Sequence, residues 1–229
     1  MTKDIVFPSR SERTFGWCYA LFCALCLPWV LNFIVSAVGL TVSGAIINFT
    51  YFAVNFLVVA IGFRRFLART GKDILDRVLW VLLMAVAGFL VYLGLTQLTG
   101  RLIIRIRPDF YNVNNQGIAS LAGSNYILTL ICTVFLVPLT EECLYRGAVF
   151  GGLFKKNPVA AYAVSTVIFA LVHIDSLFGV VDWPLLALNF LQYLPAGLCL
   201  AGVYQLSGSI IAPILIHMAV NAIGIFALR

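Results

Sequence analysis

The sequence predicts an all-α fold, a polytopic membrane helix bundle of about seven transmembrane helices. Apolar runs recur along the chain at about the 20-residue length a helix needs to cross a bilayer's hydrocarbon core, and the charged residues gather in short stretches between them. Hydrophobic residues make up 62% of the chain and charged residues only 10%, where a soluble domain is roughly a quarter charged. With a mean hydropathy of +1.02, the chain has more apolar surface than a water-soluble fold of this length could bury.

The elements follow in order. Residues 1–14 are polar and of mixed charge and read as a tail at the membrane surface. Apolar runs then occupy 15–39, 44–63, 76–98, 126–153, 158–174, 184–206 and 209–228. The first run is too long for the apolar region of a signal peptide and no A-x-A-like site follows it, so no cleavable leader is expected. The stretch 99–125 has a different character. Arg101, Arg105 and Arg107 alternate with Leu102, Ile103, Ile104 and Ile106 before an Asn/Gln/Gly-rich sequence, a pattern that suits either an interfacial segment or an ordinary loop. No repeat and no separate soluble domain are visible. The chain therefore reads as one integral membrane domain, 1–229, with a core at 126–228 that carries the polar motifs.

The net charge of +6 lies at the ends of the apolar runs, where membrane proteins place basic residues, so the partners it implies are a lipid bilayer and not nucleic acid. Lys3, Arg10, Arg13, the group from Arg64 to Arg77, Lys155 and Lys156 share one side of a seven-helix arrangement; Arg101, Arg105, Arg107 and Arg229 take the other. The larger group predicts a cytoplasmic N-terminus in a bacterial plasma membrane. The six cysteines lie inside apolar runs. Cys23 and Cys26 form a C-x-x-C without the second pair a four-thiolate metal site needs, so they read as small apolar packing residues.

Ionisable groups inside a span cost about 2.5–3.5 kcal/mol each on insertion scales and persist when protein groups or a wet cavity receive them. Glu141, Glu142 and Arg146 lie in the fourth run, His173 ends the fifth, and His217 and Asn221 lie in the seventh. Spacings of four residues place Glu142 with Arg146, Phe169 with His173, and His217 with Asn221 on common helical faces. A rise of about 1.5 Å per residue, counted from the turn at 154–157, puts Glu141 roughly 20 Å and His173 roughly 24 Å up their helices. Counted from Ser207–Gly208, His217 lies roughly 14 Å up and Asn221 roughly 20 Å up. Overlapping depths predict one intramembrane polar site made of Glu141, Glu142, His173, His217 and Asn221. Taken singly, each residue also has a structural reading: a helix–helix hydrogen bond, or a Glu–Arg pair that holds helices together.

Two carboxylates, two imidazoles and an amide suit activation of water. A glutamate in a dry site can take its proton. The histidines, with Glu141 as third ligand, could hold a zinc ion that keeps an open position, or could help stabilise an oxyanion together with Asn221. The H-E-x-x-H and G-x-S-x-G patterns are absent, and no two aspartates lie in the apolar runs.

T-E-E-C-L-Y-R (140–146), F-A-L-V-H (169–173) and H-M-A-V-N (217–221) resemble, in order, the E-E-x-x-x-R, F-x-x-x-H and H-x-x-x-N/D motifs of the CPBP family. That family includes type II CAAX prenyl endopeptidases and bacterial proteins linked to bacteriocin processing or immunity. The resemblance implies an intramembrane endopeptidase acting on a membrane-associated peptide or protein, with Glu141 as the base that activates water. It carries the histidines onto His173 and His217 and the amide onto Asn221, and leaves the metal question open. Glu142 is assigned mainly to hold Arg146; the alternative is that both carboxylates act on the water together. A non-proteolytic immunity or scaffold protein of the same fold, and more remotely a proton-coupled transporter, remain the competing functions.

Overall fold

The computed structural model describes residues 4–38 and 43–227, and among these every regular element is helical. The helices are α1 (Arg10–Leu25), α2 (Leu27–Val38), α3 (Gly44–Gly62), α4 (Arg64–Leu75), α5 (Val78–Ile106), α6 (Val113–Ser124), α7 (Tyr126–Leu153), α8 (Pro158–Val172), α9 (Trp183–Ser207) and α10 (Ile211–Phe226). Four of them, α3, α5, α7 and α9, are long and apolar enough to cross a membrane. Against the expected count of about seven spans, the described residues thus hold four full-length candidates, with α8 and α10 as shorter apolar helices. The first apolar run divides at Cys26 into α1 and α2, next to Pro28, which has no N–H for the carbonyl four residues back. Lys3, Leu228 and Arg229 lie outside the described residues.

One other expectation changes. The stretch 99–125 is neither one loop nor one interfacial segment. Helix α5 runs on to Ile106 with Ile103 fully buried, reaching roughly 44 Å, longer than the hydrocarbon core, so its last turns carry Arg101 and Arg105 to the interface. After a turn, α6 forms a separate helix, with Asn112 as N-cap accepting from the Asn115 N–H. The tail is packed against the bundle. Ser9 and Glu12 form a capping box at the start of α1. Glu12 is buried and accepts from the Phe66 N–H at 2.7 Å, the Ser9 N–H at 2.8 Å and Arg69 at 3.2 Å. Burial pushes the Glu12 carboxyl up, yet the hydrogen bonds from Ser9 and Phe66 and the Arg69 charge outweigh it and hold it below the usual carboxylate range.

These tail contacts define one end of the bundle. The Val6 N–H donates to the Gly208 carbonyl, the Tyr204 hydroxyl to the Val6 carbonyl, and Arg77 to the Gly208 carbonyl. Gly208 closes α9 in the left-handed conformation, at φ 70°, which glycine adopts without a Cβ clash. Arg77 also pairs with Asp73, and Lys155 lies over the Phe7 ring. The basic group spanning Arg10 to Arg77 and Lys155–Lys156 therefore gathers at one end by contact as well as by span counting. The other end holds Arg107 paired with Asp182 at 2.9 Å, and the Arg107 hydrogen bond keeps the Asp182 carboxylate below its usual range.

The core lies among α5, α7, α8, α9 and α10. Helix α9 contains Pro195, and two residues later Gly197 meets α8 so closely that a Cβ there would stand 2.9 Å from Thr166 Cγ2 and 3.0 Å from its Cα. That close approach draws α8 and α9 together beside Arg146, which donates to the Gly197 carbonyl at 3.4 Å.

Candidate active site

Helix α7 positions the paired glutamates through an irregularity invisible to a simple helical reading. It carries π-type winding at Cys132–Leu136 and Glu142–Phe150, and such wider turns recur at functional sites. At the first of these the Val137 N–H bonds the Cys132 carbonyl, five residues back. The next residue in that register is Pro138, which has no N–H to give. The Thr133 carbonyl is thereby left without its backbone donor, and the Asn221 side-chain amide supplies one at 2.8 Å. One proline thus commits one N–H of Asn221 and ties α10 to α7; the second N–H stays available.

The two glutamates divide the two histidines. Glu142, fully buried, places Oε2 3.2 Å from Arg146 Nε and Oε1 3.0 Å from His217 Nδ1. Arg146 is itself fully buried, with its guanidinium 4.3 Å from the Phe169 ring centroid. Paired charges with these extra contacts are what makes burial of a Glu–Arg pair tolerable. Glu142 thus does more than hold Arg146, since its second oxygen fixes the His217 ring. Glu141 places Oε2 3.9 Å from His173 Nε2, beyond hydrogen-bond distance, and this oxygen has no hydrogen-bond partner.

His173 sits where α8 ends. Its Nδ1–H donates to the Phe169 carbonyl at 2.7 Å, satisfying a last-turn carbonyl that the helix leaves open. The ring lies against Phe169 (centroids 4.5 Å apart, tilted) and stacks on Tyr193 (4.3 Å, planes at 30°). Tyr193 is in turn held by Asn112 at 3.1 Å and Asn114 at 3.2 Å. Sequence reasoning missed Tyr193, Asn112 and Asn114; the only signal for them was the asparagine-rich start of the segment after Pro108.

Glu141, His173, His217 and Asn221 all line a cavity of about 510 Å³ that also meets Tyr51 and Asn55 of α3 and the exposed Asp175. Glu142 and Arg146 lie behind this wall. Each histidine has its Nδ1 engaged, so a neutral ring carries the lone pair on Nε2. That tautomer suits a metal ligand or a proton acceptor alike. Among the described residues, however, no three His, Cys, Asp or Glu side chains converge as a metal-binding group. The expected zinc set of His173, His217 and Glu141 lines this one cavity without closing into such a group.

Fold and site together define a class: a polytopic membrane-type helical protein with a buried Glu/His/Asn site at the contact of three helices. Residues 123–223 match the family model described as type II CAAX prenyl endopeptidase Rce1-like. The chain is also 28% identical over 159 residues to UPF0177 protein YxdF of Lactococcus lactis subsp. lactis (strain IL1403), an alignment covering 68% of this chain and 79% of that relative. Both findings support the CPBP family. No solved structure matches the chain.

Proposed function

We propose that this protein is an intramembrane endopeptidase that hydrolyses a peptide bond of a membrane-associated peptide or protein. The observation that carries the reading is the buried, unpartnered Oε2 of Glu141, 3.9 Å from His173 Nε2 in a cavity shared with His217 and Asn221. Turning this oxygen towards the adjoining cavity admits a water between it and the ring nitrogen. Glu141 takes a proton from this water as its oxygen adds to the scissile carbonyl carbon. His217 in its protonated form, held by Glu142 through Nδ1, presents Nε2–H to the developing oxyanion, and the second Asn221 N–H joins it. The C–N bond then breaks, the proton returns from Glu141 to the leaving amine, and the products are a carboxylic acid and an amine.

The test is mass spectrometry of membrane peptides from cells with the parent protein or its Glu141→Ala variant. The reading requires at least one cleavage product that is lost with the variant. Identical peptide sets, with the protein present and folded, would leave the immunity or scaffold alternative.

Membrane sidedness belongs to the same proposal. The basic end faces the cytoplasm, and the cavity rim at Asp175 faces the opposite side. Single cysteines introduced at Lys156 and Asp182 will differ in labelling by an impermeant reagent on intact cells. Labelling at position 156 from outside reverses the orientation.

A further inference from the structure

A second cavity, of about 440 Å³, lies on the far side of the same residues. Its lining shares Asn114, Ile118, Thr133, His173, His217 and Asn221 with the first cavity. Glu141 faces only the first, while the second runs on between α5, α9 and the C-terminal turns of α10, past Tyr92, Gln192 and Gly224. The candidate oxyanion donors therefore stand between two spaces, and the candidate base addresses one of them. Water activation by Glu141 needs only the space on its own side.

We propose that a single peptide segment occupies both cavities at once, with the reacting bond at the shared His173–His217–Asn221 wall and several residues bound on each side of it. The position of the reacting bond rests on the endopeptidase reading; the two-cavity path does not. A bond held at the wall has chain continuing in both directions, and each direction meets a cavity. The linings differ in a way that sets the substrate class. The first cavity carries the carboxylates of Glu141 and Asp175, whereas no Asp, Glu, Lys or Arg lines the second, which is built from amides, hydroxyls and apolar groups. Amides and hydroxyls can pair with a peptide backbone, but an uncompensated charge buried there is strongly disfavoured. The substrate is thus an internal segment with uncharged residues on the second-cavity side and tolerance for basic residues on the other.

Two glycines permit a matched experiment. Gly117 of α6 lines the first cavity and Gly224 of α10 the second, and a Cβ at either meets nothing within 4 Å. Leucine at either place fills its cavity and is a better helix residue than glycine, so both variants are expected to fold. The full chain in lipid nanodiscs is given a pool of randomised decapeptides blocked at both ends, and the products are sequenced. Gly224→Leu should slow cleavage by about tenfold or more and shift the surviving cuts towards one peptide end, with Gly117→Leu shifting them towards the other. The Glu141→Gln protein is crosslinked to two further pools, with benzoylphenylalanine at position 3 or at position 8. Because a peptide runs one way through the site, the two pools should label opposite cavities, around Tyr51–Asn55 and around Val220–Gly224. Labelling confined to the first cavity by both pools, or no labelling, overturns the proposal. Labelling of both cavities in the Glu141→Gln protein, with a parent protein that cleaves none of the peptides, supports the two-cavity path and removes the endopeptidase reading instead.

Discussion

The membrane-length helices of the N-terminal half, α3 and α5, and of the C-terminal half, α7 and α9, are all apolar and meet their surroundings in opposite ways. In α3 and α5 only 17% of the membrane-length window is buried inside the protein, whereas in α7 and α9 the share is 44%. The N-terminal half places its own ion pairs at one end, where Glu12 gathers Ser9, Phe66 and Arg69. The C-terminal half places them in mid-bundle, where Glu142 joins Arg146 to His217. A helix that shows most of its surface to lipid needs only apolar side chains. One that carries charges must be enclosed by other helices, since lipid offers a carboxylate or guanidinium no partner. Enclosure and polar chemistry therefore travel together, which is why the candidate site and the tightest packing coincide.

Substitutions on either side of this divide should differ by orders of magnitude. The largest effect is expected at Glu141: its change to Gln should lower turnover by about 10²–10⁴-fold while leaving thermal unfolding unchanged. His173→Ala and His217→Ala should be comparably inactive, and combined losses should fall short of their product, because groups acting as a unit fail together. Near-normal turnover in two of the three single variants would show the site to be wrongly composed.

Glu142 should respond in the opposite sense, through stability. Glu142→Gln leaves the buried guanidinium of Arg146 with a neutral partner and should cost about 3–5 kcal/mol. Adding Arg146→Met should recover part of that loss, though not the His217 contact, so activity should stay low even where stability returns. A Glu142→Gln protein that melts like the parent but is inactive would assign Glu142 to the chemistry alone.

The N-terminal end offers a smaller effect with a pH signature. Glu12→Gln should cost about 1–3 kcal/mol by breaking up a buried set of hydrogen bonds. Because the folded state depresses the Glu12 carboxyl, its stabilisation is present above the ordinary carboxylate range and is lost as pH falls through the lowered value. Denaturation midpoints of parent and variant should therefore converge in acid; a gap that persists there would mean the carboxylate's charge is not what matters. Smallest of all should be Leu90→Ala on α5, where the side chain is 63% exposed. A change within about 0.5 kcal/mol is expected, and a larger one would reveal a protein partner on a face otherwise given to lipid.

Much of the candidate site's placement was legible in the sequence. Only two histidines exist in the chain, and four-residue spacings placed Glu142 with Arg146 and His217 with Asn221 because a helix repeats its faces locally. Depth along each helix followed from the rise per residue, so convergence could be anticipated without knowing how the helices pack. What the chain alone could not show was partnership across helices. Glu142 has two oxygens, and only the approach of α10 gives the second one to His217. The stretch after Arg101 has no strong apolar period, and α9 alone makes sense of Asn112 and Asn114 by holding Tyr193 between them and His173. The π winding of α7 and the commitment of Asn221 to Thr133 depend on Pro138 and a neighbouring helix together. Periodicity belongs to the sequence because it acts over a few residues. Charge pairing and cavity shape were decided by the fold, because they require side chains far apart in the chain to meet.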